Sequence, residues 1–145
     1  MTVWKFDDGT GDMRTILIVS RDAEMVSVWK TLFQQKNYRV TSEESLERTP
    51  QTARLTQPAL ILLDLDLTED EGISLCRDIR AVTGGTLLLL SRRADEMDVF
   101  RYHFSGVNEI LPRSISPMAL LIKSMAWLAR GEYQVPYSQP VGARF

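Results

Sequence analysis

The chain has 145 residues, 44% of them apolar and 25% charged, with a net charge of −2. That length suits one domain with a full core, and that balance is the composition of a soluble globular protein. The charge predicts no basic face for nucleic acid, no apolar run reaches the roughly 18–20 residues of a membrane helix, and Met1–Asp8 lacks the pattern of an export signal. The single cysteine, Cys76, has no internal disulfide partner, which fits a reducing cytoplasm. It falls in the apolar frame of a predicted helix and reads as a buried structural thiol.

In chain order, residues 1–13 read as a polar, glycine-containing arm whose Trp4 and Phe6 tuck it against the body. Ile16–Val19 is a short buried strand. Asp22 is placed as a helix N-cap, and Met25, Val28, Trp29, Leu32 and Phe33 repeat at helical spacing behind it until Lys36-Asn37. Tyr38–Thr41 is a second strand. Pro50 breaks any long helix between Ser42 and Gln57 and starts a short one at Thr49-Pro50. Ala59–Leu63 is the third strand. A helix over Gly72–Thr83 puts Ile73, Leu75, Cys76 and Ile79 on one face and stops at Gly84-Gly85. Thr86–Leu90 is the fourth strand. Asp95–Ser105 is a fourth helix, with Met97, Phe100, Arg101 and Phe104 at helical spacings. Asn108–Leu111 is a fifth strand. Ser116-Pro117 caps a last helix that carries Leu120, Leu121, Ser124, Met125 and Leu128 and closes at Gly131. The expected division is an arm (1–13), one domain (14–131) and a Pro- and Gly-containing linker or tail (132–145).

Five successive β-then-α units imply an α/β fold with a doubly wound parallel sheet, and its functional crevice lies at the carboxyl ends of the strands. Residues far apart in sequence then converge on one rim: Ser20, Arg21 and Asp22 after the first strand, Asp64 and Asp66 after the third, Ser91 and Arg92 after the fourth, and Arg113 after the fifth. Asp64 has two readings. It accepts a phosphoryl group with the help of Mg²⁺, or it is a strand-end carboxylate that is solvated or bonded to nearby N–H groups. Arg21 brings positive charge to where a metal would sit, and either pairs with Asp64 or disfavours the ion. Asp66, Glu69, Asp70 and Glu71 form an acidic cluster that reads as a solvated loop. With His103 the only histidine, no histidine-based metal site or triad is available.

On these residues the chain resembles a receiver domain of two-component response regulators, from about Arg14 to Gly131. Ile16–Asp22 is similar to that family's opening strand and acidic pocket, Ala59–Gly72 to its phosphoacceptor strand and loop, and Leu87–Arg92 to its switch strand. Gly106–Leu120 resembles the stretch that usually reads G-A-D-D-Y-L-P-K-P-F-x-P-E-E-L. The resemblance implies a flavodoxin-like (βα)5 sheet of order 2-1-3-4-5. It places Asp64 on the phosphoacceptor and Ser91 on the switch hydroxyl. It also implies departures. The acidic pair that holds Mg²⁺ falls on Ser20 and Arg21, the invariant lysine on Arg113, the proline after it on Ser114, the switch aromatic on Ile110, and the loop proline on Thr68.

The expectation is therefore an atypical receiver, a pseudo-receiver that acts by protein contact rather than catalysis. No resident cofactor is expected, and an enzyme activity no greater than weak self-phosphorylation at Asp64. Arg21 or Arg113 paired with Asp64 would hold the pocket in one state. The output region implied by the family is the fourth helix, fifth strand and fifth helix, with Arg101, Tyr102, Phe104, Glu109, Lys123 and Trp127, used for a homodimer. A histidine kinase or another regulatory protein is the upstream partner, and transcription is controlled through an effector beyond these residues. The alternative is a working phosphoacceptor in which Asp22, Asp64 and Asp66 hold Mg²⁺.

Overall fold

The computed structural model describes residues 13–133. Five parallel strands, β1 (Thr15–Ser20), β2 (Arg39–Glu43), β3 (Leu60–Asp64), β4 (Thr86–Ser91) and β5 (Glu109–Pro112), lie in the order β2-β1-β3-β4-β5. They alternate with helices α1 (Ala23–Gln35), α2 (Thr49–Thr56), α3 (Glu69–Arg80), α4 (Val99–Phe104) and α5 (Pro117–Tyr133). The order and the α/β class are those that the resemblance implies.

The pleat sorts the strand residues between two apolar layers. Leu17, Val19, Ile61, Leu63, Leu87 and Leu89 pack with Ala53, Ile73, Cys76, Ile79 and Tyr102 from α2, α3 and α4. Ile16, Ile18, Leu60, Leu62, Leu88 and Leu90 pack with Trp29, Phe33, Leu120, Leu121 and Leu128 from α1 and α5. Burial on both faces fixes the register, because a one-residue slip would exchange the two layers. That register sets Ser20 beside Asp64 and Ser91 beside Pro112. Cys76 is fully buried, and its burial pushes the thiol up to about 12.

Several boundaries differ from the sequence expectations. α3 starts at Glu69, because Thr68 and Glu71 form a reciprocal capping box, so Gly72 lies inside the helix. The Tyr102 ring packs where a Gly72 side chain would be, with its hydroxyl 2.9 Å from that position. α4 is shorter than Asp95–Ser105. A 3-10 turn at Ala94–Glu96 precedes it, and the Asp98 carboxylate caps it by accepting the Arg101 N–H at 3.1 Å. This changes the phase, so Tyr102 faces the core while Phe100 and Phe104 are 76% and 84% exposed. α3 ends at Arg80, before the two glycines, and α5 continues through Gly131 to Tyr133. Among the described glycines only Gly106 has the positive φ that a left-handed helix stop uses. The expected arm and tail, apart from Met13 and the last turn of α5, lie outside the described residues, as do Trp4 and Phe6.

Gly85, the residue before β4, lies against the Pro58 carbonyl, and a Cβ there would collide with that backbone oxygen, whereas a Cβ on Gly84 meets nothing within 4 Å. Gly85→Ala is therefore expected to cost about 1–3 kcal/mol in urea unfolding, as overpacking does. Gly84→Ala should stay within about 0.5 kcal/mol of the parent.

Candidate functional site

The crevice forms where β1, β3, β4 and β5 end. Asp64 is the last residue of β3 and its side chain is only 12% exposed. Both of its oxygens are taken. The Ser20 hydroxyl donates to Oδ2 at 2.8 Å, and the Arg113 Nε–H donates to Oδ1 at 2.7 Å. The same guanidinium donates from Nη2 to Asp22 Oδ2 at 2.9 Å. Asp22 also works locally: its Oδ1 accepts the Met25 N–H and caps α1, and its own N–H donates to Ser20 Oγ at 3.0 Å. Beneath, the Arg113 guanidinium carbon stands 5.2 Å from the centre of the buried Trp29 ring. Such cation–π contacts add about 0.5–2 kcal/mol. Three strand ends and one helix thus hold a single planar cation between two carboxylates.

The other rim residues sit differently. Arg21 is exposed and its Nε–H donates to the Glu44 carbonyl at 3.2 Å, so of the two arginines named for Asp64 only Arg113 reaches it. Ser91 lines a cavity with Asp64 and Arg113, but its hydroxyl accepts the Arg93 N–H at 3.0 Å. Asp66 is exposed at the mouth, and Ile110 is half-buried in the α2–α3–α4 layer. A divalent ion would need several free oxygens in an octahedral array. Asp64 and Asp22 offer theirs to Arg113 and Ser20 instead, and among the described residues no group of three His, Cys, Asp or Glu is placed to hold a metal.

On the α4–β5–α5 side, the sequence expectation for Tyr102 needs correcting. Tyr102 is 2% exposed and belongs to the core, because the Asp98 cap turns it inward. Arg101 forks to Glu69 at 2.7 Å and Asp70 at 2.8 Å, tying α4 to the first turn of α3. Of the acidic cluster, Glu69, Asp70 and Glu71 are thus helical and partly paired, while Asp66 stays in the loop. Glu109 accepts from Lys123 Nζ at 2.7 Å and Trp127 Nε1 at 2.8 Å. Burial opposes ionisation of Glu109, but the Lys123 and Trp127 hydrogen bonds outweigh it and leave its carboxyl below the usual range. Sequence reasoning missed two things here. Trp29 reads as plain core, and no signal marks it as a platform for a cation. The exposed apolar set Val99, Phe100, Met118 and Ile122 becomes visible only once the helices are phased from their caps.

A doubly wound parallel domain with strand order β2-β1-β3-β4-β5, which gathers an aspartate, a serine and a cation on the rim of its central strands, is of the flavodoxin-like class. The response regulator receiver domain family matches residues 16–124, and the chain belongs to that family. Its members pair with histidine kinases. The chain is 28% identical to the transcriptional regulatory protein RstA of Escherichia coli over 120 residues, 83% of this chain and 50% of that one. It is 30% identical to the KDP operon transcriptional regulatory protein KdpE of Escherichia coli over 101 residues, 70% of this chain and 45% of that one. It therefore spans about half the length of these curated relatives. A CheY-like receiver domain protein from Methanospirillum hungatei superposes with a TM-score of 0.76 at 19% identity, over 85% of this chain and 99% of that one, a likeness of fold. No helix among the described residues is long and apolar enough to cross a membrane.

Two outcomes follow from this geometry. Arg113→Met strands a mostly buried carboxylate, so it should cost about 1–3 kcal/mol in chemical unfolding. Adding Asp64→Asn should recover part of that loss, and strictly additive effects would show that the pair is not coupled. The depressed Glu109 contributes stability that is present above its ordinary value of 4.5 and is lost as pH falls through the lower folded value. Acid unfolding followed by circular dichroism should show Glu109→Gln less stable than the parent at neutral pH, with the gap closing at acid pH.

Proposed function

We propose that this receiver domain signals by protein contact without needing phosphorylation at Asp64. The observation that carries the reading is the Arg113 guanidinium, which bridges Asp64 and Asp22. A divalent ion would have to sit against the same two carboxylates, and Ser20 and Arg21 replace acids with a hydroxyl and a cation. This donor set does not fit Mg²⁺. With each Asp64 oxygen already accepting one hydrogen bond, an incoming phosphoryl donor meets a carboxylate whose charge is partly neutralised and whose approach is crowded by the Arg113 guanidinium.

The output face in this reading is α4–β5–α5. Val99, Phe100 and Phe104 on α4 and Met118 and Ile122 on α5 are exposed apolar side chains, beside the Glu109–Lys123 pair. A patch of that kind suits a constitutive homodimer. Because the similar full-length proteins RstA and KdpE are transcriptional regulators, the contact would serve an effector that controls transcription, under a histidine kinase or another upstream protein.

One observation favours a second reading, a Mg²⁺-dependent phosphoacceptor: Asp64 and Ser91 still line one cavity. Acetyl phosphate or beryllofluoride with Mg²⁺ separates the two. The proposal expects no phosphorylated Asp64 by mass spectrometry and no Mg²⁺-dependent NMR shifts at the strand ends. A stoichiometric beryllofluoride adduct would end it. The combined variant Ser20→Asp, Arg21→Asp, Arg113→Lys is expected to gain Mg²⁺ binding. Sedimentation should find a dimer that acetyl phosphate does not alter and that Phe104→Glu weakens; a monomer at high concentration removes the dimer.

A further inference from the structure

The edge of the sheet opposite Asp64, where the strands begin, carries a groove of about 550 Å³. Among the described residues its ionisable lining is of one kind, Arg14, Arg80, His103 and Arg130, with no carboxylate among them. Arg80 is half-buried and spends its donors on neutral oxygens. It reaches the carbonyls of Thr83 at 3.2 Å, Gly85 at 2.6 Å and Gly106 at 2.6 Å, and the Asn108 side chain at 3.2 Å. Its charge is therefore solvated by dipoles and not cancelled by an acid. Arg130 lies over the Trp127 ring at 4.0 Å and makes no ion pair among the described residues. Glu109, which feels the charge of Arg130, is already hydrogen-bonded to Lys123 and Trp127. A concave surface with low-dielectric walls and one sign of charge focuses its field and attracts anionic groups.

Arg14 and Gly131, near the two limits of the described residues, both line this groove. Residues 1–12 lead into Met13 and Arg14, and residues 134–145 follow α5, whose Gly131 lines it. Their charges differ. Residues 1–12 carry Asp7, Asp8 and Asp12 against Lys5, together with Trp4 and Phe6, whereas residues 134–145 carry Arg144 and no acid. We propose that the groove is a docking site for the acidic segment that precedes Met13, with its aspartates facing Arg80 and Arg130. The six residue-to-residue steps from Asp8 to Arg14 span about 20 Å when extended, which is ample to cross the groove. Docking there sets the segment against the end of α5, where the chain leaves the domain. The inference is independent of the state of Asp64.

A nitroxide on Thr2→Cys in the full chain tests this. The one native thiol, Cys76, is buried and pushed up to about 12, so it does not compete for the label. The expected result is strong broadening of the His103, Gly106 and Arg130 amide resonances in dilute solution. It should be lost in about 1 M salt, where the Debye length is about 3 Å, and also in the Asp7→Asn, Asp8→Asn, Asp12→Asn variant. Arg130→Glu, an exposed change, should abolish it while resonances around Asp64 stay in place. Absence of broadening, or broadening indifferent to salt and to these variants, overturns the proposal. So does broadening that appears only on mixing labelled with unlabelled chains, since the occupant is then a second copy.

Discussion

The structure depends on one constraint: a carboxylate delivered to the rim by a buried strand must find a positive partner. Asp64 cannot retreat, because β3 is buried on both faces and its register with β1 is fixed by the two apolar layers. Desolvation of that carboxylate is costly unless it is paired and hydrogen-bonded. In this chain the partner is covalently part of the domain. Arg113 arrives on the turn after β5, its backbone N–H donates to the Ser91 carbonyl at 2.9 Å, and its guanidinium lies over Trp29. An ion can leave or be exchanged, but a tethered guanidinium persists at any pH the fold survives. The geometry also favours arginine over lysine, since the planar fork donates to Asp64 from Nε and to Asp22 from Nη2 at once, which one ammonium centre does less readily.

How much of this was legible in the sequence follows from which physical signals are local. The apolar runs of β1, β3 and β4 are unbroken, so their existence and parallel pairing follow from composition alone. The rim assignment of Asp64, Ser20 and Arg113 then follows from topology. What was not legible is direction. Arg21 and Arg113 are both long cations near one carboxylate, and only the packed turn decides that one points inward while the other turns to Glu44. Trp29 carries no mark separating it from Phe33 four residues later, yet only Trp29 lies under the guanidinium. Helix ends failed where two cap signals compete. Thr68 with Glu71 outranks Gly72 as a start of α3, and Asp98 outranks Asp95 for α4. The second of these matters more, because a shift in phase exchanges Tyr102 with Phe100 and Phe104 between core and surface.

The same locality explains why overall charge misleads. A net charge of −2 predicts no basic surface, but charge is a sum and a field is a distribution. Arg14, Arg80, His103 and Arg130 come from four separate elements or turns and meet at the strand starts only because the sheet is parallel. The parallel connections that carry acids and cations to one edge at Asp64 necessarily gather another set at the opposite edge.

Each edge is held by an arginine. Arg80 staples the turn before β4 to the turn before β5, while Arg101 ties α4 to the first turn of α3, next to the loop that follows Asp64. For α4 to move, the Arg101 fork must open or α3 must follow. Its ion pairs are exposed, so they contribute little to stability and resist such motion only weakly. The buried Tyr102 against Gly72 is the stronger tie, because a core aromatic has no second place to pack without leaving a void. Movement of α4 is therefore governed more by how Tyr102 sits on α3 than by the surface ion pairs. A half-buried Ile110 on β5 leaves no aromatic ring there to swing between an inward and an outward position. A core aromatic of this domain sits instead on α4, as Tyr102, fully packed against α3.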